Sequence, residues 1–170
     1  MADEVLAVLA ASPARRIMGV GTVLTLGALA VYVAVFEPPG HPGWTAFLIV
    51  LGLVALWLSN KMRHATQAHL ELTRTDLRSS TGEVLASVAD IEALERGALA
   101  FKPSNGFTLR LKSGCDAGPR RWEPGLWWRM ARRVGVGGVT PGSQARMMAE
   151  VLAGLMAEHA ATHSTEKNKR

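Results

Sequence analysis

Between Arg16 and Lys61 lie 44 residues that carry one charge, Glu37. No other feature of the chain restricts its fold as strongly, because an uncharged block of that length has to be covered by protein or by lipid. Ile17 to Phe36 supplies 20 uncharged, mostly apolar residues. As a helix at ~1.5 Å per residue they reach ~30 Å, the hydrocarbon thickness of a bilayer and longer than ordinary buried helices. Trp44 to Ser59 supplies another 16. That run is ~24 Å long and needs Asn60 to Met62 to reach both interfaces. Trp44 and Trp57 stand near its ends, at the headgroup depth that indole rings favour. The connector, residues 37–43, holds three Pro and two Gly in seven residues and breaks any helix. The two segments, 17–36 and 44–62, are therefore expected to be antiparallel transmembrane neighbours.

The remaining 126 residues carry 32 of the 33 charges, an ordinary soluble density that the overall 19% conceals. This excludes a plain soluble globule, a disulfide scaffold and a wholly disordered chain. A signal peptide fits poorly: residues 1–16 begin with Asp3 and Glu4, and no small-residue cleavage site follows Phe36. Arg15 and Arg16 precede the first span, Lys61 and Arg63 follow the second, and the connector has no Lys or Arg. The positive-inside rule then puts both termini in the cytoplasm, a reducing compartment in keeping with a single cysteine, Cys115. Neither span contains an ionisable residue, which argues against a channel or a proton path. Gly21 and Thr25, and Ala30 and Ala34, are small pairs at i, i+4 through which the helices could approach.

Residues 65–160 suffice for one small domain. Leu70 to Leu77 and Glu83 to Ala89 flank a Ser79–Gly82 turn and read as a hairpin. Ile91 to Phe101 is open between helix and strand. Lys102-Pro-Ser-Asn-Gly106 is a turn, and Phe107 to Lys112 alternates as a strand. Strand-like residues return at 121–123 and 126–136. Thr140-Pro141 reads as a cap followed by Pro at the first helical position, and Ala145, Met148, Ala149, Leu152, Leu155 and Met156 recur at helical spacing to about His159. Residues 161–170 are polar and read as a flexible tail. The short apolar N-terminal stretch around Val5, Leu6 and Leu9 is expected along the inner interface.

Strands followed by one C-terminal helix make an α+β pattern. Leu70-Glu-Leu-Thr73 with Leu77, then Asp90-Ile91, then Gly106-Phe-Thr-Leu-Arg-Leu111 ahead of the final helix, resemble the bacterial PH-like domains. A membrane hairpin before such a domain resembles families of small, poorly characterised bacterial membrane proteins. Ala89 stands where many such domains place a Trp. The resemblance implies a two-helix transmembrane hairpin in the bacterial inner membrane, followed by a small antiparallel β, PH-like cytoplasmic domain with a C-terminal helix.

The candidate site is the stretch from Arg120 to Arg133, with Arg120, Arg121, Trp122, Trp127, Trp128, Arg129, Arg132 and Arg133 set against one Glu. Beneath an anionic leaflet these residue types suit lipid docking, and they also anchor protein interfaces. A third reading has Trp122 or Trp127 filling the core of a small sheet while the Arg residues are solvated. Arg15, Arg16, Trp44, Trp57, Lys61 and Arg63 mark the membrane interface.

Val134 to Gly142 is glycine-rich, but the third glycine of G-x-G-x-x-G would fall at Thr140 and no G-K-[ST] occurs. His159 and His163 lack a third metal ligand nearby. No arrangement supports nucleophilic or paired-carboxylate catalysis. The sequence thus points to a non-enzymatic, cofactor-free interaction, assembly or accessory-subunit protein. Its expected partners are membrane lipids and another membrane protein or complex, not nucleic acid. The alternative is an anionic-lipid-sensing module.

Overall fold

The structure, a computed structural model, describes residues 4–96, 106–115 and 118–167, with side chains through residue 161. The 98–101 segment, most of the 102–106 turn, Asp116 and the His163 side chain lie outside the described residues.

The chain opens with a strand, β1 (Ala7–Ala10), and then enters two helices of 24 residues each, α1 (Pro13–Phe36) and α2 (Pro42–Ala65). Each begins with Pro in its first turn, where the missing N–H costs nothing. At ~36 Å both are long and apolar enough to cross a bilayer. They pack on each other through Gly27 and Gly52. A Cβ on Gly52 would lie 2.6 Å from Val31 Cγ2 and 2.9 Å from the Gly27 carbonyl oxygen. Nearer the domain, the Ser59 hydroxyl donates to the Val20 carbonyl at 3.1 Å and stays off the apolar surface. Of the two expected small pairs, Gly21 with Thr25 plays little part. Gly21 faces open space and Thr25 is exposed, whereas Ala34 is buried.

The domain follows as β2 (His69–Leu72), β3 (Asp76–Ser79), β4 (Val84–Ser87), a 3-10 turn (Val88–Asp90), β5 (Ile91–Glu95), β6 (Phe107–Leu111), β7 (Arg121–Glu123), β8 (Trp127–Met130), β9 (Arg133–Val136) and helix α3 (Gly142–Lys167). One sheet has the order β1-β2-β3-β4 and the other β5-β6-β9-β8-β7, with antiparallel pairing throughout. Leu9, Leu70, Leu72, Leu77 and Leu85 of the first sheet meet Phe107, Leu109, Leu111, Val134 and Val136 of the second in one core. Met148, Ala149 and Leu152 of α3 close it.

Four sequence expectations change. The N-terminal apolar stretch is a sheet strand, not an interfacial segment: Leu9 pairs with Leu70 and is fully buried. The run from Leu70 to Leu77 is two strands, because the Thr73 hydroxyl accepts the amides of Thr75 and Asp76 (3.3 and 3.0 Å) and turns the chain. Thr140 does not cap α3 with its side chain, since its buried hydroxyl has no hydrogen-bond partner among the described residues. The helix also runs on to Lys167, through a stretch without Gly or Pro in which propagation needs no new nucleus.

The topology makes the hairpin an insertion between paired strands. β1 leads into α1, α2 leads into β2, and Ala10 pairs with His69. Both ends of the hairpin are therefore fixed to one end of one sheet, and the domain hangs from two covalent connections.

Candidate functional site

The junction between hairpin and domain is built from backbone and side chains together. Ser12 N donates to the Val139 carbonyl (3.1 Å), Val139 N donates to the Gly125 carbonyl (3.0 Å), and Arg15 donates to the Thr140 carbonyl (3.1 Å). Gly125, at φ +88, lies against Met62 of α2 and Thr66 just after it, where a Cβ would come within 3.1 Å of both side chains. This seats the β7–β8 turn on the end of α2. Lys61 Nζ then stands 5.4 Å from the Trp57 ring and 5.2 Å from the Trp122 ring, held by two indole faces. Trp57 belongs to the helix and Trp122 to the domain, so one ammonium joins the two parts. Arg16 is half-buried at the start of α1, Arg63 is exposed in the last turn of α2, and Trp44 packs edge-on against Phe47 at the far end of the hairpin.

The Arg/Trp stretch does not form one surface, because strand alternation sends its side chains in opposite directions. Trp127 is 2% exposed and Arg129 is 4% exposed; both face the interior. The expectation that these two residues dock lipid or a partner is thereby corrected. Arg129 Nε donates to the Pro119 carbonyl (3.0 Å), NH1 to the Val84 carbonyl (3.0 Å) and NH2 to Glu83 (2.8 Å), and the guanidinium lies 5.7 Å from the Trp127 ring. It clamps the second sheet to the edge of the first. Arg121 reaches the same carboxylate at 2.9 Å and Glu123 at 3.3 Å. Trp128 is half-buried, and its ring lies over Gly135, where any Cβ would collide at 2.2 Å. Arg120 is exposed beside β7, and Trp122, 46% exposed, is the indole at the hairpin end of the domain.

Arg132 and Arg133 belong to the other end of the molecule. β8 runs away from the Gly125 turn and β9 returns to it, so the turn between them is a strand length from the hairpin. Arg132 donates to the Ser113 hydroxyl (2.5 Å), and Arg133 is exposed. Beside them a cleft of about 450 Å³ opens between the 3-10 turn, β5 and the later part of α3.

On the outer face of the first sheet, Glu71 lies between Arg78 (3.1 Å) and His69 (3.2 Å). The hydrogen bond from Arg78 is the main cause that holds its carboxyl below the ordinary 4.5, with His69 adding to it against partial desolvation. Among the described residues, no group of three His, Cys, Asp or Glu side chains is placed to hold a metal ion.

Sequence reasoning missed Glu83, the Gly27–Gly52 crossing, β1 and the cleft. The uninterrupted apolar run Val5 to Ala11 could have marked β1 as a buried strand. Nothing local marks Glu83, whose partners are 38 and 46 positions away. No family model, curated protein or solved structure matches this chain.

Proposed function

We propose that this chain is a membrane-anchored, non-enzymatic interaction, assembly or accessory-subunit protein. Its hairpin spans the inner membrane of a bacterial cell, and a PH-like domain docks a partner at the cytoplasmic face. The observation that carries this reading is the insertion of α1 and α2 between the paired strands β1 and β2. A hairpin so placed returns the chain to the side it left, and holds the domain against the bilayer without a flexible linker. The exposed surface of the helices supports the membrane half of the reading. Sixteen large apolar side chains of α1 and α2 are exposed, from Ile17 to Trp57. At ~1.5 to 3 kcal/mol each, leaving them in water would cost tens of kcal/mol, far beyond the net stability of a domain. Arg15, Arg16, Lys61 and Arg63 all lie at the domain end of the hairpin, which favours a cytoplasmic domain and two cytoplasmic termini. Two antiparallel sheets closed by a C-terminal helix suit a PH-like layout. The carboxylates Glu83 and Glu92 are engaged in structural pairs, Glu83 with Arg121 and Arg129 and Glu92 with Arg110, which suits a binding role for the domain better than a catalytic one.

The test has two arms. Alkaline carbonate extraction with maleimide labelling of Cys115 in spheroplasts and inverted vesicles should return an integral protein labelled from the cytoplasmic side. Purification in mild detergent should return a stoichiometric complex. A carbonate-soluble protein, or Cys115 labelled from outside, refutes the anchoring. The second reading, an anionic-lipid sensor, is favoured by Lys61 between Trp57 and Trp122 at headgroup depth. A lone monodisperse protein whose stability rises with anionic lipid would select it.

A further inference from the structure

We propose that the membrane-distal end of the domain is the docking surface, and that it receives an acidic segment of a protein partner carrying an apolar side chain. This rests on the partner-docking reading and names the surface and the chemistry.

Three cations gather there. Leu111 N donates to the Arg132 carbonyl (2.8 Å), so the end of β6 lies beside the β8–β9 turn and brings Lys112, Arg132 and Arg133 to one edge. All three are exposed, and among the described residues none has a carboxylate in ion-pairing range. Lys112 donates to the Ala89 carbonyl (2.6 Å) and so stands on the rim of the 450 Å³ cleft. Val88, Ile91 and Met156 supply apolar lining, and Met130, 53% exposed, lies next to Arg132 and Arg133. Of the carboxylates on this wall, Glu92 is turned to Arg110 at 3.4 Å and Asp90 is half-buried. The volume is within the range of ligand clefts, ~300–1,000 Å³. An apolar side chain in the cleft with carboxylates on the rim satisfies both halves.

Position excludes the bilayer as occupant. Four residues of β8 and its turn, at ~3.3 Å per residue, put about 15 Å of strand between the Gly125 seat and Arg132. That is nearly two screening lengths of ~8 Å, so the leaflet's charge contributes little. Nucleic acid is disfavoured because three phosphate contacts give weak, salt-sensitive binding.

The test uses the full chain in zwitterionic nanodiscs and an array of synthetic 12-residue peptides that vary in Asp and Glu content, with or without a central Leu. Acidic, Leu-containing peptides should bind. The double variant Arg132→Glu, Arg133→Glu should weaken binding about tenfold or more. Ala160→Glu, at an exposed position on the α3 wall of the cleft, should weaken it with the three cations intact. Trp122→Ala, at the membrane end, should leave binding unchanged. Absence of binding, binding without charge preference, loss only in Trp122→Ala, or tighter binding of a 20-nucleotide oligonucleotide would each overturn the proposal. Nanodisc incorporation and carbonate resistance are read on the same preparation. If they hold while acidic peptides fail, the docking surface falls and the anchoring stands.

Discussion

Arg129 separates a structural reading of the Arg/Trp stretch from a docking one. Replacing it with Ala removes three charge-assisted hydrogen bonds, to the Pro119 and Val84 carbonyls and to Glu83, from a site 4% exposed. Bonds to charged groups contribute ~1.5–3 kcal/mol each, and part is returned as side-chain entropy of ~2 kcal/mol. Breaking a buried pair costs ~3–5 kcal/mol when the partner is orphaned. Here Glu83 keeps Arg121 at 2.9 Å and some contact with solvent, which puts the expected loss near the lower bound, about 3 kcal/mol. For a domain of this size that is roughly a 10–20 °C fall in melting temperature. Arg129→Lys should recover less than half, since one ammonium cannot span three acceptors on different elements. The assay is urea unfolding of the full chain in micelles, followed by near-ultraviolet circular dichroism, where Trp127 beside the guanidinium reports directly. A loss under about 0.5 kcal/mol, as for an ordinary surface residue, would refute the clamp.

Leu9→Ala should destabilise the domain by about 3 kcal/mol and speed amide exchange at Leu70 and Leu72, while Val8→Ala on the exposed face of the same strand should be nearly silent. Gly52→Val should cost about 1–3 kcal/mol by forcing α1 from α2, seen as a lower aggregation temperature in micelles, with Gly21→Val as the tolerated control. The folded-state pKa of Glu71 is depressed, so its contribution to stability is complete above the ordinary 4.5 and is lost as pH falls through the lower folded value. In Arg78→Ala, an NMR titration should find that carboxyl moved back up and the acid-side loss of stability reduced; an unchanged midpoint would contradict the assignment to Arg78.

What was legible in the sequence was whatever depends on near neighbours along the chain. The uncharged runs 17–36 and 44–62 prescribe two apolar helices, because backbone groups shielded from water, by protein or by lipid, are met most simply within the segment. The Pro and Gly of the connector prescribe the reversal. Strict alternation marked Phe107 to Leu111 as a strand, and helical spacing marked Met148, Ala149 and Leu152 as one face. The tertiary structure alone decided which side chains these elements share. Leu9 is core because α1 and α2 return the chain beside β1, some 60 positions later. Trp127 and Arg129 turn inward because Glu83 and the Val84 carbonyl arrive from another sheet, while Trp122, one pleat away, meets Lys61. A residue's type sets what its burial would cost, but only its distant partners set whether that cost is met, and here they divide one Arg/Trp-rich stretch into a seat on the helical hairpin, a buried clamp and a distal cationic edge.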